Sequence, residues 1–184
     1  MAEHFQTIID TRARADEADH LARHVVSFLS GKGIIAPTAD QEGGYRRGER
    51  ALEIATAAIP PAHETIPPVH SHLQVMIGRA THAADMSSTA RPQAHCPECG
   101  DALKEQDDLW REAEQEWLAG DDEAYLDCQT CQIGGKLVEW DYGPDYGFGN
   151  LAFRFWNWPP LSAEFLEEIH RELQHPIVLV KGRL

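Results

Sequence analysis

The sequence predicts an α+β protein: an antiparallel or mixed sheet with flanking helices, into which a cysteine-bearing module is inserted. Three observations lead there. Apolar residues recur at helical spacing early in the chain, at Leu21, Val25, Phe28 and Leu29. They alternate at strand spacing later, at Leu73, Val75 and Ile77 and again at Leu151, Phe153 and Phe155. All four cysteines fall in two Cys-x-x-Cys pairs between those alternating segments. Helical signals first and strand signals later is the pattern of a segregated α+β fold.

The first element is a helix in ADEADHLARHVVSFLSGKG, where Ala22 and Val26 widen the apolar stripe. Asp10 or Thr11 is placed to cap its start, and Gly31 and Gly33 end it. GIIAP reads as a short strand. A short helix is expected from Glu49 to Ala58, stopped by Pro60 and Pro61, since proline lacks an N–H donor and restricts its predecessor. SHLQVMIGRATHAA is a strand with one well-buried face. DMSSTARPQAH links it to the cysteine region.

Between the cysteine pairs, Leu109, Trp110, Trp117 and Leu118 punctuate an acidic segment that Gly120 should end, so a helix is expected there. KLVEWDYG and FGNLAFRFWNW read as strands. In the second of these, Leu151, Phe153 and Phe155 line one face and Ala152, Arg154 and Trp156 the other. Pro159 and Pro160 stop it. Ser162 offers an N-cap, and Leu161 with Leu166 fits a hydrophobic staple. Phe165, Leu166, Ile169 and Leu173 give that helix its buried stripe, His175-Pro176 breaks it, and IVLVK supplies a last strand. The expected organisation is residues 1–94 as the N-terminal part of the core, 95–133 as the insertion, and 134–184 as a ββαβ remainder of the same core.

At 184 residues the chain suffices for one domain with a real core, or a core plus a small module. Apolar residues make up 42% and charged residues 25%, which argues against wholesale disorder. No apolar run approaches the ~18 residues of a membrane span, and charge interrupts the first twenty residues where a signal peptide would need an apolar stretch. A cytoplasmic protein that engages no membrane is expected. The net charge of -14 opposes general attraction to nucleic acid or anionic lipid. Much of it is local: from Glu98 to Asp127, twelve acids face only Lys104 and Arg111. A solvated helix face or a partner-facing patch would each account for this.

The cysteine pairs carry the clearest chemistry. A two-residue gap lets both thiolates of a pair, Cys96 with Cys99 and Cys128 with Cys131, reach one ion from a tight turn. Two such turns complete a tetrahedral four-sulfur set, the closed geometry of structural zinc. Gly100 suits the position after the second ligand because glycine accepts positive φ. Zinc (Zn2+) in a structural role is therefore the expected cofactor, ahead of a redox pair or two disulfides. The 28 residues from Gly100 to Asp127 exceed the usual ribbon spacing of roughly 15–20. With HCPECG and DCQTCQ as its knuckles, the segment resembles a zinc ribbon carrying an acidic helical elaboration. Four protein ligands leave no open position for catalysis.

Other constellations are weaker. His70 and His72 stand two apart, with His63, His82 and His95 nearby, and could form part of a second metal site, although no metallo-hydrolase signature accompanies them. Arg46, Arg47 and Arg50 follow a Gly-Gly pair, but no phosphate-loop ending is present. There is no Gly-x-Ser-x-Gly elbow and no spare cysteine nucleophile. The aromatic run from Tyr142 to Trp158 reads as core, or as a binding surface anchored by Trp156 and Trp158. The tail from GFGN through FWNWPPLSAEFLEEI to VLVKGRL resembles that of a group of small bacterial proteins of unassigned role, which implies only that strand, Pro-Pro and helix form one unit.

The functional expectation is an acidic, zinc-stabilised protein-binding protein, with an immunity-type inhibitor of a toxin as its concrete form. Its basic partner would meet Asp107, Asp108, Glu112, Glu116, Asp121 and Asp122, or Trp156 and Trp158. The alternatives are a metal-dependent enzyme with its site near His70 and His72, and a nucleic-acid adaptor using the ribbon.

Overall fold

The computed structural model describes residues 3–40, 43–56, 71–88, 91–103 and 107–184. It begins with a strand that the sequence pattern did not announce, β1 (His4–Asp10), in which Phe5 to Asp10 are all buried. Polar side chains hide it from a hydropathy reading, yet each finds a partner. Gln6 donates to the Pro159 carbonyl at 2.9 Å and accepts from the Leu161 amide at 2.9 Å. Asp10 accepts from the amides of Arg12 and Ala13 at 2.9 and 2.8 Å. Burial of hydrogen-bonded polar groups costs little, so β1 can occupy the sheet interior.

Helix α1 (Ala18–Gly31) buries Ala18, Ala22, Val25 and Leu29, and Gly33 at φ 71° follows its end. It starts later than Asp10 or Thr11 would allow; Asp10 instead anchors the turn before it. The GIIAP stretch makes one bridge, Ile35 to Arg47, beside the two-residue strand β2 (Tyr45–Arg46). The helix expected from Glu49 shrinks to a 3-10 turn at Ala51–Ile54; residues 57 and 58 and both prolines lie outside the described residues.

Strand β3 (His72–Ala83) follows, with a register shift between Ile77 and Ala80 at Gly78, whose φ is 117°. Strand β6 (Tyr146–Trp156), helix α3 (Ala163–Leu173) and strand β7 (Ile177–Arg183) end the chain. Ser162 caps α3, its side chain accepting from the Phe165 amide at 3.2 Å. The sheet has the order β2-β3-β6-β1-β7, and every neighbouring pair is antiparallel. Thus β6 lies between β1 and β3, and β1 lies between β6 and β7. This interleaves two split β–α–β units, the βαββαβ arrangement of ferredoxin-like sheets. α1 and α3 cover one face, where Ile8, Leu73, Leu151, Phe153 and Phe155 meet Val25, Leu29, Phe165 and Ile169.

The insertion between β3 and β6 has its own core. Helix α2 (Asp107–Leu118) and the hairpin of β4 (Tyr125–Asp127) with β5 (Gly134–Lys136) surround Leu103, Trp110, Trp117, Leu126, Leu137 and Trp140. That core runs from Ala94 to Phe148, so it draws on residues beyond 133. KLVEWDYG is not one strand. Only Lys136 belongs to β5; Leu137–Glu139 and Gly143–Asp145 form 3-10 turns. Leu137 and Trp140 are both buried three residues apart, the spacing of a turn rather than of a pleat. Among the described residues no helix is long and apolar enough to cross a membrane.

Candidate metal centre

Each cysteine pair sits on a tight knuckle, and the two knuckles are built alike. In the first, the Gly100 amide donates to the Cys96 carbonyl at 2.9 Å, and the Cys96 amide to the Asp101 carbonyl at 2.9 Å. In the second, Gln132 donates to the Cys128 carbonyl at 2.8 Å, and Cys128 to the Ile133 carbonyl at 3.2 Å. The residue after the second cysteine takes positive φ in both, 74° at Gly100 and 59° at Gln132. Glycine flagged the first position; nothing in the residue type flags the second. The first knuckle rests on a bridge between His95 and Ala102, the second on the β4–β5 hairpin.

The result is a four-sulfur cage. The ligating atoms of Cys96, Cys99, Cys128 and Cys131 all lie within 4.8 Å of one another. Cys96 and Cys131 sulfurs are 3.8 Å apart, and those of Cys99 and Cys128 are 3.7 Å apart. An ion bound tetrahedrally at Zn–S distances of about 2.3 Å needs sulfur–sulfur edges of about 3.8 Å. A disulfide needs about 2.05 Å, and all four thiols are free. Cys96 and Cys128 are buried against the module core, while Cys99 is exposed.

Backbone amides favour thiolates here. The Glu98 N–H points at the Cys96 sulfur at 3.4 Å. The Cys131 amide, then that of Thr130, lowers the Cys128 thiol to about 7 against the desolvation that opposes it. At Cys99 the Asp101 amide acts in the same sense, but desolvation and hydrogen bonds with the other three sulfurs outweigh it and push the thiol up to about 12. The conflict is electrostatic: thiolates this close repel, and only a cation among them lets all four ionise together. The donor set fits a soft or borderline tetrahedral cation and leaves no position for water or substrate.

Among known proteins, no family model matches the chain, and no curated protein or solved structure is significantly similar to it. Function must be argued from the site itself.

The remaining candidate residues are dispersed. His63 and His70 lie outside the described residues. His72 stacks beside Trp156, with ring centroids 6.2 Å apart, and the ring of His95 faces the Gly100 carbonyl at 3.2 Å. Among the described residues, the cysteines are the one cluster of three or more side chains placed to hold a metal. Arg50 pairs with Glu53, and Arg47 lies over the Trp158 ring. Trp158, at 1% exposed, is a core residue, and Trp156 is buried at 9%. Packing against Phe155 and Phe5 withdraws both from the surface, which corrects the expectation that they anchor a partner.

The acids fare differently. Trp110, Ala113 and Trp117 turn one face of α2 inward, leaving Asp108, Glu112 and Glu116 exposed on the other. Asp121 and Asp122 are exposed in the following turn, although Asp122 is tied to Arg79 by an ion pair. The side chain of Asp107 lies outside the described set. Sequence reasoning passed over Arg79, whose guanidinium stacks 4.7 Å from the Trp117 ring centre and joins the module to β3.

Proposed function

We propose that the four cysteines hold one zinc ion as a structural clasp in a ribbon-like module. On this reading the protein is a cytosolic, non-enzymatic binding protein that offers the acidic face of the module to a more basic protein. The observation that carries it is the exposed row Asp108, Glu112 and Glu116 on α2. Like charges at i, i+4 spacing weaken a helix by a few tenths of a kcal/mol per pair (~0.2–0.5). The opposite face is nevertheless held in place by two tryptophans and a candidate metal clasp. A rigid acidic row suits a partner with a positive cleft, where complementary charge speeds association and disfavours wrong partners.

An immunity-type inhibitor of a toxin, such as a nuclease with a basic active-site cleft, is the form that matches this chemistry most directly. The test is affinity capture from the native host at low and at high salt, with the wild type and with Glu112→Lys/Glu116→Lys. A specific partner retained at low salt, released at high salt and lost with the double variant supports the reading. No protein partner at low salt, or a complex indifferent to the charge reversal, sinks it. The enzyme and nucleic-acid readings have no comparable support: His72 stands without a ligating cluster among the described residues, and the module surface is acidic.

A further inference from the structure

The sheet face turned away from α1 and α3 contains a cation that neither the clasp nor the acidic row explains. Arg154, in the middle of β6, is 6% exposed. Its guanidinium lies against two adjacent rings, 4.6 Å from the centre of Phe5 and 5.5 Å from that of Trp156. Nε donates to the Thr7 hydroxyl at 2.9 Å. The outer nitrogens are poorly served: among the described residues Nη1 reaches only the Met86 sulfur and Nη2 only Nδ1 of His82, each at 3.5 Å. Thioether sulfur is a weak acceptor, and 3.5 Å is long for a nitrogen donor. Among the described residues Arg154 forms no ion pair. Buried charges are normally paired, and an uncompensated one needs an explanation.

Met86 and His82, the two makeshift partners, both line a cavity of about 500 Å³ between β3, α2 and the turn at residues 85–88. Its composition selects a ligand. A forked pair of N–H donors matches a carboxylate in two parallel bonds. Met76, Met86 and Trp110 give the cavity apolar walls. Asp85, Glu114 and Arg111 also line it, so with Arg154 the lining carries two positive and two negative groups, and the two carboxylates disfavour a doubly charged anion such as phosphate more than a single carboxylate. His82, 3% exposed, can donate or accept a hydrogen bond at the same place.

We propose that Arg154 anchors a binding site for a small organic monocarboxylate with an apolar or aromatic body. The carboxylate takes Nη1 and Nη2 in place of the Met86 sulfur, and the body lies against the methionine and tryptophan walls. This site is independent of the metal centre and of the acidic row.

The test is titration of the full metal-loaded chain with benzoate, phenylacetate and inorganic phosphate, read by calorimetry and tryptophan emission. At least one aromatic carboxylate should bind saturably at one per chain, with phosphate at least about tenfold weaker. Arg154→Met should weaken that binding by about 30-fold or more, the loss expected for a charge-assisted pair. Met86→Glu, which places a carboxylate on the chain itself, should exclude the probe and raise the melting temperature. The proposal is overturned if neither carboxylate saturates the wild type at millimolar concentration, or if phosphate binds as well. It is equally overturned if Arg154→Met leaves binding intact, or, should that variant not fold, if Met86→Glu binds the probe as the wild type does.

Discussion

Chelation of the metal, or the substitution Cys99→Ser, is expected to loosen one half of the molecule and spare the other. Cys99 is the exposed cysteine of the four, so serine there removes a soft donor without opening a cavity in the module core. Trp110, Trp117 and Trp140 are 3%, 5% and 3% exposed within that core, whereas Trp156 ends β6 and Trp158 packs in the helix-backed core. Three of the five tryptophans should therefore shift their emission to the red while two stay unchanged. An ion held at about 1,000 times its dissociation constant stabilises by about 4 kcal/mol. In a chain of this size 1 kcal/mol moves a melting midpoint by roughly 2–4 °C. Metal loss should thus lower the module transition by roughly 8–16 °C at that loading. Elemental analysis gives the metal count, emission spectra report the module, and calorimetry follows both transitions. Protein that arrives without a transition metal, or that loses it with emission unchanged and a shift under about 2 °C, would refute the clasp.

Other outcomes follow from individual positions. Gln132→Gly should stabilise the metal-bound protein by about 0.5–1 kcal/mol, because its φ of 59° costs a side chain more than it costs glycine; an unchanged or lower melting midpoint would count against that conformation. Gly134→Ala should destabilise by about 2–4 kcal/mol, since φ is 117° and a new Cβ would lie 2.2 Å from the Leu126 carbonyl oxygen; denaturant unfolding measures it. The His82 pKa is lowered to about 4, first by burial and then by the charge of Arg154. The unfolded histidine titrates near 6.5 and takes up its proton first, so this stability is present above about pH 6.5 and falls as pH drops toward 4, by roughly 2–3 kcal/mol. His82→Gln should lack that component, and identical pH dependence of the two melting midpoints would show that His82 is not buried neutral.

Legibility in the sequence followed the physical signal. The long alternating strand β6 and the capped helix α3 were readable because their apolar residues keep one period and stop at Pro-Pro and at Gln174-His175-Pro176. The four cysteines were readable because ligand spacing is a short-range property. Strand β1 was not, because its polar Gln6 and Thr7 are satisfied by residues about 150 positions away, at Arg154, Pro159 and Leu161. For the same reason Trp158 could not be told from a surface anchor: a strand's aromatic run looks identical whether the far side is helix or solvent. The left-handed backbone at Gln132 was invisible because it is imposed by closure of the second knuckle, not by residue type.

The placement of the four-cysteine cluster says more about β6 than about the module alone. The first part of that strand, at Tyr146 and Phe148, packs in or against the module core, and its later part, at Leu151, Phe153 and Phe155, in the helix-backed core. One continuous strand thus crosses two hydrophobic clusters. Phe148 meets Trp117 edge-on at 5.1 Å, and Arg79 of β3 stacks on the other partner of that contact. A clasp that fixes the hairpin and α2 would therefore also fix the entry of β6 into the sheet, where residues 146–149 pair with residues 80–83 of β3. Interiors packed this closely pass small displacements on to their neighbours. Loosening the knuckles should consequently be felt first at Tyr146 and Phe148 and last at α3. Hydrogen exchange along β6 would show this as protection rising from residue 146 toward residue 156 once the metal is stripped, and uniform protection along the strand would mean that the two cores are mechanically separate.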